Sequence, residues 1–250
     1  MEYTHLSNTI VIKTVSEDSR HGVFEIEGLY AGYGLTVGNA LRRVLLSSLP
    51  GAAVTQIKVK NVAHEFSSIP GMKEDIVELA LNFKKIRFQM HTDEPRVLSL
   101  KVKGIKEVLA GDIKADAEVE VVNPELALAN LTAKNADLEI EITVERGLGY
   151  SAVEARAGEK LGVGVIAIDA YFSPVVKANY LVENMRVGDR TDYNKLRLEI
   201  ETDGTVSPSS ALHKSANILK DHFEKAGAVA VQDFEAIEGD SPKKKVKAKK

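Results

Sequence analysis

Residues 34–51, GLTVGNALRRVLLSSLPG, place two adjacent arginines inside an otherwise apolar helical pattern. Thr36 is the predicted N-cap of this helix, and Pro50-Gly51 ends it. The apolar side chains sweep more than half of the helix circumference at about 100° per residue, and they are Val37, Ala40, Leu41, Val44, Leu45 and Leu49. Because one core covers a stripe of only about 100°, we expect this helix to face a second subunit as well as its own core.

The polar side of the helix is a narrow ridge formed by Asn39, Arg43 and Ser47, which follow one another four residues apart. An arginine that reaches water along its apolar stem is the commoner explanation of such a residue. Here the guanidinium would lie between two small hydrogen-bonding side chains, and its planar set of donors suits a partner's carboxylates or carbonyls. We therefore interpret the ridge as a docking surface, with Arg42 and Leu46 at the edge of the apolar arc.

A second amphipathic helix is predicted from Ser207, the N-cap, and Pro208 to Gly227. Its apolar positions recur at spacings of four, three, four and three residues, and they are Leu212, Ala216, Leu219, Phe223 and Ala226. Packing on the chain's own sheet would also explain a seam of barely two heptads. Large side chains contribute roughly 1.5–3 kcal/mol each when fully buried, whereas association costs an estimated 4–15 kcal/mol. We therefore expect a firm dimer only if both helices of each subunit take part.

Most of the remaining sequence alternates between apolar and polar residues, which is typical of strands. The predicted strands span residues 9–15, 23–28, 54–60, 97–102, 117–122, 138–144, 165–169, 180–184 and 196–201. A shorter helix is predicted over residues 72–84, and residues 146–149 are predicted to turn. The pattern indicates an α+β fold.

Composition limits the classes of function. The chain has no cysteine or tryptophan, which excludes a disulfide framework and thiolate metal sites and fits a reducing cytoplasm. We read no signal peptide and no apolar run of the roughly 20 residues that cross a bilayer, so we expect a cytoplasmic protein without a membrane partner. Six lysines fall in residues 243–250, which leaves 27 basic against 36 acidic residues before them, a net charge of −9. Such an acidic body is poorly suited to binding a phosphate backbone.

The sequence offers no catalytic constellation. No histidine lies four residues from another, and His64-Glu65 is not followed by the second ligand of an H-E-x-x-H zinc site. No serine stands in a G-x-S-x-G motif, and the carboxylates are scattered rather than grouped around two metal ions. We expect no catalytic residue, metal or cofactor in this chain. A metabolic α+β enzyme is a further class of function, and it would require a cofactor or a metal.

Five motifs follow one another along the chain: GNALRRVLLSSLPGAAV, HEFSSIPGMKEDIVELALNFK, ERGLGY, IDAYFSPV and RTDYNKLRLEIETDGTVSP. Together they resemble the N-terminal domain of bacterial RNA polymerase alpha subunits over about residues 8–227. The resemblance implies a discontinuous dimerisation domain, residues 1–50 and 174–230, built from a sheet and two amphipathic helices. It also implies an inserted, mainly β domain over residues 51–173. Family members dimerise and bring together the beta and beta-prime subunits, which carry out nucleotidyl transfer.

The resemblance also assigns contact residues. The beta subunit is expected to contact Arg43, Arg42, Asn39, Leu46, His64, Glu65 and Phe66. The beta-prime subunit is expected to contact Lys84, Asp169 and Val175. The dimer interface is expected to contain Val37, Leu41, Val44, Leu45, Leu212, Ala216, Leu219 and Phe223. The chain departs from the family at Leu35, where many relatives are polar, and at Phe172, where tyrosine is common. A free-standing dimeric interaction protein that uses this fold outside the polymerase is the alternative.

Residues 231–250 are polar and end in lysines that repel one another, so we predict a disordered tail. Alpha subunits usually continue here through a linker into a small helical domain that binds DNA and activators. The lysine-rich segment in place of that linker favours a natural end of the chain. At most, we expect this tail to contact DNA weakly.

Overall fold

The computed structural model describes residues 6, 8–156, 162 and 164–229. The predicted tail, residues 231–250, lies outside the described residues. The glycine-dotted sequence over residues 154–164 predicts a loop, and residues 157–161 and 163 of it lie outside them too. The elements in chain order are β1 (Val11–Glu17), β2 (His21–Leu29), α1 (Tyr33–Ser47), β3 (Pro50–Val59), α2 (Ile76–Phe83), β4 (Phe88–Met90), β5 (Arg96–Lys103), β6 (Lys106–Leu109), β7 (Val119–Val121), β8 (Ala127–Leu131), β9 (Asp137–Leu148), β10 (Tyr150–Ser151), β11 (Val165–Ala167), β12 (Ala170–Tyr171), β13 (Val175–Val187), β14 (Arg190–Thr202) and α3 (Pro208–Gly227).

The two ends of the chain build one layered unit. Strands β1, β2, β14 and β13 form an antiparallel sheet in that order. The strands predicted over residues 9–15 and 23–28 pair with each other as an antiparallel hairpin before α1. Helix α1 contacts β13, β14 and α3, so both helices cover the same sheet. The core of this unit consists of Phe24, Ile26, Leu29, Leu41, Leu45, Leu49, Val175, Ala178, Leu196, Leu198, Ile200 and Ala211.

The middle of the chain builds a second, mainly β unit with its own core. Its six-stranded sheet has the order β5-β9-β3-β4-β7, with β11 paired to the other stretch of β3, and α2 packs near β8. The buried residues of this core all lie between Val54 and Ile168. The predicted α+β fold with an inserted β domain is therefore confirmed. The domain boundaries given above stay predictions.

Helix α1 begins earlier than predicted. It starts at Tyr33 with Gly32 as N-cap, rather than at Thr36, and Gly32 has a φ of 86°, a left-handed conformation that favours glycine. The buried side chain of Asn194 supplies the missing cap, because its Oδ1 accepts hydrogen bonds from the amides of Gly32 (2.9 Å) and Gly34 (3.3 Å). The cap therefore comes from a strand about 160 residues further along the chain, which local patterns do not reveal.

The close approach of α1 to the sheet depends on Gly38. A Cβ atom at this position would lie 2.7 Å from Cδ2 of Tyr180 and 2.8 Å from Cδ1 of Leu196. The glycine thus lets α1 sit directly on β13 and β14. Since this side of the helix faces the sheet, the polar ridge on the other side faces outward.

The predicted limits of α3 are confirmed. It runs from Pro208 to Gly227, and the Ser207 side chain accepts a hydrogen bond from the amide of Ser210. Helix α2 is shorter than predicted: it begins at Ile76, because Asp75 accepts from the amide of Glu78 and ends the preceding loop.

The predicted turn over residues 146–149 is wrong at its first three residues. Strand β9 continues through Leu148, because Gly147 pairs with Gly51 in the ladder between β9 and β3. The chain turns only at Gly149, which has a φ of 61°.

Candidate functional site

The ridge on α1 is exposed at all three of its residues, Asn39, Arg43 and Ser47. The hydroxyl of Ser47 donates to the backbone carbonyl of Arg43 at 2.8 Å, so it is committed to its own helix. The hydroxyl proton of Ser47 is therefore not available to a partner, whereas its oxygen can still accept a hydrogen bond from a guanidinium. The ridge is therefore an arginine on an exposed helix face, with Asn39 one turn away.

The two adjacent arginines have different surroundings. Arg42 is half-buried, and its Nε donates to the carbonyl of Ala178 on β13 at 3.0 Å. Leu46 is also half-buried and packs against the core of the four-stranded sheet. Of the four α1 residues predicted to contact the beta subunit, Asn39 and Arg43 are the exposed ones, whereas Arg42 fastens the helix to its sheet.

The chain itself covers α1 from two sides. Leu41 and Leu45 are buried, while Val37 and Val44 are half-buried. Strands β13 and β14 cover one side of the helix, and α3 of the same chain covers another. The wide apolar arc therefore does not by itself require a second subunit. Leu41 and Leu45 offer a second copy almost no surface, and we correct their assignment to a dimer interface.

An uncovered apolar surface lies instead on α3 and β1, and we refer to it as the α3–β1 surface. Leu212 and Leu219 are half-buried, Ala216 is exposed, and Phe223 is 68% exposed. The N-terminal half of α3 is held by the buried Ala211 and Ser215, but every described residue from Lys220 onward is exposed.

Strand β1 meets the start of α3, where the amide of Ser209 donates to Oε1 of Glu17 at 2.8 Å, and β1 was not predicted to take part in an interface. All seven of its residues are exposed, and Ile12 is 64% exposed. Ile12 pairs directly with the buried Ile26, so the two side chains share the face of the sheet that carries the core. The core face is thus left uncovered at β1. An exposed isoleucine in an alternating strand is the signal that sequence reasoning overlooked.

A groove of about 260 Å³ lies on the inserted unit. Glu65 and Phe66 line one part of it and Lys84 and Asp169 another, with apolar side chains of α2 and β11 between them. Phe66 is 81% exposed. The structure therefore brings together residues that the resemblance assigns to two different large subunits.

Two further predicted contacts lie away from this groove. His64 is exposed, and its Nδ1 is 3.2 Å from the hydroxyl of Ser67, but it does not line the groove. Val175 is fully buried in the core of the four-stranded sheet. The prediction that Val175 contacts the beta-prime subunit is therefore wrong for its side chain, which has no accessible surface.

Asp169 organises the polar end of the groove. The amide of Val153 donates to its Oδ1 at 3.0 Å, and Lys84 Nζ lies 3.2 Å from its Oδ2. The Val153 amide is the main cause that lowers the pKa of Asp169; partial burial opposes this, and hydrogen bonds from Tyr150 and Lys84 add to it. The hydrogen bond with Asp169 in turn raises the pKa of the Tyr150 hydroxyl. The carboxylate stays ionised and holds Lys84 and the Val153 loop in place.

We predict that Asp169→Asn lowers the free energy of unfolding at pH 7 by about 1 kcal/mol or less, because the ion pair is partly screened by water. A lowered pKa means that the ionised carboxylate stabilises the fold above about pH 4, and that this contribution disappears as the pH falls through the lowered value. Urea unfolding at pH 7 and pH 3 measures both effects. The difference between the native chain and the variant should be smaller at the lower pH.

Asp221→Asn on the exposed face of α3 is the control, and it should change neither curve. An Asp169→Asn variant that is as stable as the native chain at pH 7 would contradict the role given to this carboxylate.

Within the described ranges, no group of three or more histidine, aspartate or glutamate side chains is arranged to hold a metal ion. Among the helices of the described part of the chain, none combines the length and the apolar character that crossing a membrane requires.

Comparison with known proteins agrees with the arrangement described above. A family model described as "RNA polymerase Rpb3/RpoA insert domain" matches residues 56–173. The DNA-directed RNA polymerase subunit alpha of Symbiobacterium thermophilum is 48% identical over 215 residues, which cover 85% of this chain and 68% of that protein. The proteins of the same name from Moorella thermoacetica and Oenococcus oeni are each 48% identical, over 206 and 213 residues. These alignments cover 82% and 85% of this chain, and 66% and 68% of the two relatives.

The matched region therefore spans about two thirds of the length of these relatives. Identity at this level over most of the chain is accompanied by the inserted β unit that the family model describes. The chain belongs to the family of bacterial DNA-directed RNA polymerase alpha subunits.

Proposed function

We propose that this chain is a homodimeric scaffold on which the beta and beta-prime subunits of RNA polymerase assemble for transcription. Nucleotidyl transfer then belongs to the large subunits, and this chain contributes no catalytic residue. The observation that carries the proposal is the α3–β1 surface, an apolar area that a single chain leaves in water, in a member of the alpha subunit family.

The α3–β1 surface supports a twofold dimer. It combines Leu219 and Phe223 on α3 with Ile12 on β1, and these side chains are half-buried or exposed in the single chain. A twofold axis presents each of them twice. At roughly 1.5–3 kcal/mol for each large side chain when fully buried, about six of them would be comparable to the estimated 4–15 kcal/mol cost of association.

Two surfaces remain for the large subunits. Arg43 on the α1 ridge offers a planar set of charged donors, and the groove between Phe66 and Lys84 offers an apolar floor beside an ion pair. A twofold dimer carries each surface in duplicate, so two unlike partners can each occupy one copy. Since the groove contains residues assigned to both large subunits, we assign the groove of one copy to beta and that of the other copy to beta-prime.

Native mass spectrometry of the chain co-expressed with the beta and beta-prime subunits of its own organism tests this proposal. The expected species contains two copies of the chain and one of each large subunit, and the chain alone is expected as a dimer. A dimer that recruits neither large subunit would support the free-standing interaction protein instead. A chain that remains a monomer at micromolar concentration would overturn both.

A further inference from the structure

A second cleft, of about 210 Å³, lies between the inserted unit and the beginning of α3. Arg146 at the end of β9 and His91 after β4 line it from the inserted unit, and Lys214 lines it from α3. None of these residues belongs to the α1 ridge, the groove or the α3–β1 surface. The cleft therefore has no part in the function proposed above.

The cleft is basic in an acidic body. Among the described residues that line it there is no aspartate or glutamate, whereas the chain before its lysine-rich end carries a net charge of −9. Arg146 is paired at 2.7 Å with Asp93, but that carboxylate is 88% exposed and does not line the cleft. Such an exposed pair contributes little free energy, so a better-placed anion can compete for the guanidinium.

We propose that this cleft binds a small multivalent anion of phosphate chemistry, of about the size of pyrophosphate. The guanidinium of Arg146 suits two oxygens of a phosphoryl group, and Lys214 supplies a point charge from the opposite wall. Sites for drug-sized ligands measure about 300–1,000 Å³, so a cleft of about 210 Å³ suits the phosphates alone rather than a whole nucleotide.

The cleft stays open in the proposed dimer. Lys214 lies two residues from Leu212, so about 200° of rotation place it on the side of α3 opposite the apolar seam. Because the anion would contact both β9 and α3, it would link the two units of the chain and stabilise the folded state by mass action.

Isothermal titration of the 250-residue chain with inorganic pyrophosphate at low ionic strength tests the proposal. Lys214→Ala should weaken binding about 3- to 10-fold, because it removes one charged donor from the cleft. Asp93→Asn should tighten binding about 2- to 5-fold, because it frees Arg146 from its competing carboxylate. ATP should bind no more tightly than pyrophosphate.

Lys225→Ala is the matched control, since Lys225 is exposed on nearly the same side of α3, roughly 16 Å further along the helix. It should leave the affinity unchanged. The melting temperature of the native chain should also rise with pyrophosphate concentration. Absence of heat and of a melting shift at millimolar pyrophosphate would overturn the proposal, as would equal weakening by Lys214→Ala and Lys225→Ala. Neither result depends on recruitment of large subunits, so it leaves the scaffold proposal untouched.

Discussion

The double substitution Leu219→Asp and Phe223→Asp is expected to convert the dimer into a folded monomer. In the single chain Phe223 is 68% exposed, so a carboxylate there remains in water and costs the free chain little. In the proposed dimer the same carboxylates would lie in an apolar interface without partners, at a cost of several kcal/mol. Each dimer contains the change twice. We therefore expect dissociation to become at least about 100-fold more favourable, which sedimentation velocity across a concentration series measures.

Folding of the variant is checked separately, because Leu219 is half-buried and packs against the core. Far-UV circular dichroism should be unchanged, since Ala211 and Ser215 hold the first half of α3. Phe223→Asp alone, which removes little packing because Phe223 is largely exposed in the single chain, should weaken the dimer with little loss of stability. Asn217→Asp, on the far side of the same helix, is the matched control and should leave the dimer intact. If Phe223→Asp dimerises like the native chain, the α3–β1 surface is not the interface.

The limits of helices and turns were predicted correctly where contacts between neighbouring residues in the sequence determine them. The start of α3 was predicted because Ser207 and Pro208 act on the first turn of the helix that they precede, and its end at Gly227 was predicted as well. The start of α1 was not, because its cap is Asn194, which reaches the helix only through the folded sheet. The turn at Gly147 failed for a similar reason: pairing with Gly51 overrides the turn tendency of a glycine.

In the candidate site, too, features set by the local sequence were predicted and features set by tertiary packing were not. The pattern predicted that Arg43 faces outward, because helical periodicity alone decides that. It did not reveal that α3 of the same chain covers α1, or that Phe66 and Lys84 share a groove, since both facts depend on tertiary packing. Val175 illustrates the limit of family resemblance: a segment can match a contact surface while one of its side chains lies in the core.

Arg43→Ala is expected to leave the dimer intact and to weaken recruitment of the beta subunit about 30-fold or more. Arg43 is exposed on α1, and the core side of that helix does not depend on it. Arginine at the centre of an interface often contributes 2 kcal/mol or more to binding, and 1.4 kcal/mol corresponds to a factor of ten. Titration of the purified beta subunit with the dimer measures the affinity, and sedimentation velocity reports the oligomeric state.

Arg43→Lys separates charge from geometry. Lysine keeps the charge but loses the planar set of donors, so its affinity should lie between those of the native chain and Arg43→Ala. Arg42→Ala is the informative contrast, because Arg42 Nε bonds the carbonyl of Ala178 and its loss should lower the free energy of unfolding rather than act on beta alone. If Arg43→Ala instead yields monomers or an unstable fold, the residue supports the structure of the chain. The ridge would then not be the surface that receives the beta subunit.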